Sequence, residues 1–119
     1  MQHNVPHLTE LEKQTLDDLI LGLTDKAIAR KRSLTVRGVQ NRLSSVATKL
    51  LGQKHGQMSA GMEFYNLRVR IMFEALRLGL YSIEDIAELE KSLNFWLQAV
   101  SAAPDSTVGA INSHLAATC

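Results

Sequence analysis

The amino-acid sequence predicts an all-α fold: a small helical bundle followed by a C-terminal helical extension. Three observations carry that expectation. The only prolines, Pro6 and Pro104, lie near the ends, so about 97 residues run without that helix breaker. Apolar residues recur at three- and four-residue spacing through that interval. Gly22, Gly52 and Gly79 fall where the periodic segments stop, as residues that close a helix do.

The first helix is expected to start at Thr9. Thr9-Glu10-Leu11-Glu12 reads as a capping box, in which the Thr9 hydroxyl accepts the backbone N–H of Glu12 and the Glu12 carboxylate reaches back. Leu8 precedes it as a hydrophobic staple. Leu11, Leu16, Leu19, Ile20 and Leu23 are placed on one face, and Glu12, Lys13, Asp17 and Asp18 on the other. A second, short helix is expected from Thr24, with the small apolar residues Ala27, Ile28 and Ala29 inside it. Arg30-Lys31-Arg32 closes it with positive charge where the helix dipole is negative.

The third helix is expected from the cap Thr35 to Leu51, stopped by Gly52. At about 100° per residue, Val39, Leu43, Val46 and Leu50 fall within about 60° of one another and form a core stripe. Arg37, Asn41, Ser44 and Thr48 lie opposite, flanked by Gln40 and Ser45. No acid occurs anywhere in this helix, although Glu is a favoured residue on solvated helix faces. Residues 53–61 read as a Gly/Ser-containing connector. A fourth helix is expected from about Met62 to Leu78. A fifth, capped by Ser82-Ile83-Glu84-Asp85, should run to about Ala102 with an apolar stripe of period near 3.5. Residues 103–119 are weakly patterned.

Charge concentrates on the middle of this plan. From Lys26 to Lys54 there are eight Lys/Arg (Lys26, Arg30, Lys31, Arg32, Arg37, Arg42, Lys49, Lys54) and no acid, inside a chain whose net charge is only +1. Such a patch is the electrostatic footprint of a polyanion contact. Aromatic residues make up only 5% of the chain, which disfavours a stacking platform for single strands.

Three helices with a short turn before a basic, acid-free last one make a helix-turn-helix arrangement, whose third helix enters the major groove. The residues resemble the LuxR/FixJ-type (GerE-like) DNA-binding domain of bacterial transcription regulators. Leu8-Thr9-x-x-Glu12 is similar to that family's opening and Gly22-Leu23-Thr24-x-Lys26-x-Ile28-Ala29 to its helix-two signature. Thr35-Val36-x-x-Val39-x-x-x-Leu43 resembles its recognition helix, and Lys49-Leu50 its closing pair. The match covers Leu8 to Leu50, just over a third of the chain. It implies a LuxR-type bundle, sequence-specific binding of double-stranded DNA and regulation of transcription, usually as a dimer. The family's domain usually sits behind a receiver or sensing domain, so the chain is expected to be the effector part of a two-component response regulator or a stand-alone regulator.

Base-edge contacts are expected from Arg37, Gln40, Asn41 and Ser44. Backbone contacts are expected from Thr24, Lys26, Thr35, Arg42, Thr48 and Lys49. Lys31 and Arg32 read as solvated C-terminal charges. The sequence departs from the family at Ala27, where an acid is typical, and at Gly38, where Thr is common. Gly38 reads as permitting a close backbone approach. Gln40-Asn41-Arg42 replaces a frequent Lys-Asn-His triplet, so no relative's target sequence carries over.

The expected organisation is a linker at 1–7, the helix-turn-helix domain at 8–52, a helical hairpin at 62–102 and a tail at 103–119. The hairpin carries surplus apolar residues, including Phe73, Leu89, Leu93, Trp96 and Leu97, and is expected to make a homodimer; the alternative is a larger monomeric core closing over helix one. Two other functions compete. One resembles the promoter-binding last region of a sigma factor, with RNA polymerase as partner; the other is a helical protein–protein adaptor with an acidic partner.

Enzyme chemistry is not expected. The only cysteine is Cys119, and the sequence has no acid pair, phosphate loop or metal-ligand spacing beyond the bland pair His3 and His7. No cofactor is implied. No apolar run approaches a membrane span and no secretory signal is visible, so a cytoplasmic location is expected.

Overall fold

The computed structural model describes residues 6–52 and 66–102. The expected connector, the expected fourth-helix residues before Asn66, the tail, His3 and Lys54 lie outside the described residues. Those described form five helices: α1 (Glu10–Ile20), α2 (Asp25–Arg32), α3 (Val36–Leu51), α4 (Leu67–Arg77) and α5 (Ile83–Ala102). The fold is all-α.

Each helix start is set by a side chain that satisfies amides left without intrahelical partners. The Thr9 hydroxyl accepts from Glu12 N at 3.1 Å while Thr9 N donates to Glu12 Oε1 at 2.9 Å, so the capping box forms in both directions. Thr24 accepts from Ala27 N, Thr35 from Gly38 N and Asn66 from Val69 N. Ser82 and Asp85 make a second reciprocal box at the start of α5. Between α2 and α3 the chain turns through Ser33, which takes a left-handed conformation with φ 57°.

The helix α3 is the hub. It packs against α1, α2 and α4, while α4 also meets α1. Val39, Leu43, Val46, Ala47, Leu50 and Leu51 are buried from α3, against Leu16 and Leu19 of α1, Ile28 and Ala29 of α2, and Ile71 and Ala75 of α4. The stripe expected from periodicity is the one that is buried, because at these positions a 16-residue helix meets three neighbours at once.

Two expectations for this part of the chain need correction. On α1, Glu12 and Asp18 do not lie on a solvated face: Asp18 is 0% exposed and Glu12 is also buried, whereas Leu11 is half exposed. A buried carboxylate persists only with charged partners, and both have them. Lys31 Nζ lies 2.7 Å from Asp18 Oδ1, and Arg32 Nε lies 2.8 Å from Asp18 Oδ2. Lys31 and Arg32 are therefore tied to α1 rather than simply solvated.

Among the described residues, α4 belongs to the compact unit that runs to Ile86, and α5 from Ala87 onward belongs to the other. Burial of Ile71 and Ala75 against α3 and α1 places α4 with the first three helices. The same unit is closed by Tyr81. Its hydroxyl donates to Asp17, its ring lies 4.6 Å from Lys13 Nζ, and burial with the neighbouring carboxylate pushes its ionisation upward. In the second unit, α5 continues from Ala87 to Ala102, and none of its residues is buried.

Candidate nucleic-acid interface

The outer face of α3 is built by what anchors its inner face. With the core stripe fixed against three helices, Arg37, Gln40, Asn41, Ser44 and Thr48 are all exposed on the remaining surface of a helix about 24 Å long. Arg42 is half-buried at the edge of this face. The expected base-contact residues Arg37, Gln40, Asn41 and Ser44 are thus brought together on one helix face. The Thr48 hydroxyl is turned back onto the Ser44 carbonyl at 3.1 Å.

The other expected backbone contacts are placed less uniformly. Thr24 and Thr35 use their hydroxyls as helix caps. Lys49 is held by α1, with Nζ 2.7 Å from Glu12 Oε1. Ser45 donates to the same carboxylate through Oε2. Hydrogen bonds from Lys49, Ser45 and the Thr9 amide outweigh burial and hold the Glu12 carboxyl at about 2, well below its ordinary 4.5. Thr9, Glu12 and Lys49 form one latch between α1 and α3. Gly38 also has a local reason: a Cβ there would lie 3.2 Å from the Thr35 hydroxyl that caps the helix.

These pairings change the electrostatics of the basic stretch. Lys31 and Arg32 face Asp18, and Lys49 faces Glu12. Among the described residues, Lys26, Arg30, Arg37 and Arg42 form no ion pair, and they lie on α2 and α3. Three of the eight cations visible in sequence therefore tie the bundle together, while Arg37 and Arg42 stay on α3 itself.

One carboxylate does adjoin this face. Asp25, in the first turn of α2, accepts from the Gln40 amide, with Nε2 3.4 Å from Oδ2. Its other oxygen receives the Arg68 guanidinium of α4, which also donates to the Leu23 carbonyl. Gly22, Leu23, Thr24, Asp25, Lys26, Val36 and Arg68 line an open hollow of about 490 Å³. Sequence reasoning misses the pair of Asp25 and Arg68. Arg68 is 43 residues away, and no local pattern links them.

The five residues expected at a dimer interface are divided between the two units. Phe73, in the first, is 48% exposed, with the Arg70 guanidinium 4.8 Å from its ring centre. Leu89, Leu93, Trp96 and Leu97, in the second, are partly exposed on α5. No described helix is long and apolar enough to cross a membrane.

No family model, curated protein or solved structure matches this chain. The functional reading rests on the chain's own residues and geometry.

Proposed function

We propose that the chain is a sequence-specific double-stranded DNA-binding transcription regulator of the LuxR/FixJ kind. On this reading it is a response-regulator effector domain or a stand-alone regulator, works in the cytoplasm and needs no cofactor. The observation that carries this reading is the exposed face of α3. It offers Arg37, Gln40, Asn41 and Ser44 side by side, holds no acid of its own, and is flanked by cations with no ion pair among the described residues. Gln and Asn suit adenine edges, and Arg suits guanine or phosphate. Lys26, Arg42 and the amides of the first turns of α2 and α3 supply phosphate contacts.

The decisive experiment is a titration of duplex DNA of random sequence at several salt concentrations. With about four phosphates neutralised, log K should fall against log[salt] with a slope near −4. No shift of the duplex at low salt would leave the adaptor reading in its place. Selection of bound sequences from a random pool then gives the operator and half-site spacing.

Pairing of two chains through Phe73 and the Leu89, Leu93, Trp96 and Leu97 stripe belongs to the same proposal. The stripe's alternating three- and four-residue spacing supports it, since this is the spacing of a helix–helix seam. Sedimentation across micromolar concentrations tests it: a mass that stays at one chain throughout removes dimerisation from the reading.

A further inference from the structure

Asp25 is the one acid between Asp18 and Glu63, and it stands where the DNA reading needs none. A bare carboxylate beside Gln40 would repel phosphate and present an acceptor to acceptor-rich base edges. Asp25 is not bare. Arg68 donates to its Oδ1 and to the Leu23 carbonyl, so one guanidinium fork spans the first turn of α2 and the chain just before it. The side chains are 34% exposed for Arg68 and 27% for Asp25, so the pair borders solvent, and Gln40 meets Asp25 through Oδ2. Arg suits this task better than Lys because its planar fork serves a carboxylate and a carbonyl together.

We propose that Arg68, supplied by α4, is a positioning residue for the DNA face: it neutralises Asp25 and holds it so that Gln40 can meet a base edge beside the phosphate backbone. This rests on the DNA-binding reading above. It gives α4 a part in recognition although the helix-turn-helix resemblance ends at Leu50. Arg68 donates to Oδ1 of Asp25, while the Gln40 amide donates to Oδ2.

A double-mutant cycle on the full chain, read by affinity for a selected duplex, tests the proposal. R68A should weaken binding about tenfold, because like charges are brought together at the interface. D25N alone should change it by no more than about twofold. R68A/D25N should stay within about twofold of D25N, so that the loss vanishes when the carboxylate is gone. R68K, which keeps the charge, should retain most of the affinity. The proposal is overturned if R68A binds like the wild type, or if the tenfold loss persists in R68A/D25N, since Arg68 would then act on DNA or on folding directly. Should R68A lose its helical circular dichroism, the same cycle run with Arg68→Gln, which can still donate to the Leu23 carbonyl, gives the same discrimination. A wild-type chain that shifts no duplex at low salt overturns the DNA reading itself, a result distinct from a cycle that binds but shows no coupling.

Discussion

The two longest helices among the described residues are both amphipathic by sequence, and the chain treats them in opposite ways. α3 buries six residues against three neighbouring helices and leaves an acid-free polar face outward. α5 is longer, at 20 residues, yet none of its residues is buried, and its first turns carry Glu84, Asp85, Glu88 and Glu90. Ile83 is 83% exposed and Phe95 is 76% exposed. The difference shows that an apolar stripe states only a demand for a partner. For α3 the demand is met within residues 1–86. For α5 it stands open on the described chain, and a second copy is our proposal for meeting it.

The comparison is broken most directly in the core of α3. Leu43→Ala should destabilise the chain by about 3 kcal/mol, from lost transfer energy and the cavity left between three helices. Urea unfolding should show a lower midpoint with an unchanged slope. A loss below about 1 kcal/mol would mean that α3 is not the hub that its packing indicates.

On the opposite side of the same helix, the effect should move from stability to recognition. Asn41 is exposed and caps nothing, so Asn41→Ala should leave the thermal midpoint in place. It should cost about 1–3 kcal/mol of discrimination at one base pair of the selected operator. Equal weakening on all sequences would make Asn41 a backbone contact instead.

A smaller effect separates the α1–α3 latch from ordinary surface ion pairs, and it depends on pH. The folded-state pKa of Glu12, about 2, lies below its ordinary 4.5. Its contribution is thus fully present above pH 4.5 and is lost as pH falls toward 2. Glu12→Gln should therefore be less stable than the wild type at neutral pH, and the gap should narrow across that acid window in denaturant melts. Lys49→Met, which removes the partly exposed partner, should cost no more than about 1 kcal/mol. A gap that stays constant from pH 5 to pH 2.5 would show that the latch does not hold Glu12 ionised.

What the sequence made legible follows from the range of each signal. Thr9, Thr24, Thr35 and Ser82 act on amides three residues away, and the stripe of α3 repeats every turn. Both kinds of signal are complete within one helix, so those four helix starts and the inner face of α3 could be read in advance, whereas the Asn66 cap of α4 was not. Glu12 and Asp18 were misread because a carboxylate on a helix face looks the same in sequence whether it meets water or Lys31. Their partners stand 13 to 37 residues away, and Asp17 meets Tyr81 at a separation of 64. The shared exposed face of Arg37, Gln40, Asn41 and Ser44 was legible too, since periodicity alone places them together. Which of the nearby cations stay unpaired was not, because it depends on which acids the fold carries to them.

The smallest effect expected is also the one that bears most directly on α5. Leu93 sits mid-helix on its stripe, half-buried, so within a single chain Leu93→Ala removes little packing. Alanine is also the better helix former by a few tenths of a kcal/mol at most. In dilute protein the change in stability should therefore stay below about 0.5 kcal/mol, in contrast to Leu43→Ala. At higher concentration a dimer would bury Leu93, and stability would become linked to concentration by mass action. The wild-type melting temperature should then rise with protein concentration and that of Leu93→Ala should rise less. If the two curves stay parallel and flat, α5 is not paired through this stripe, and its apolar face serves something other than a second copy.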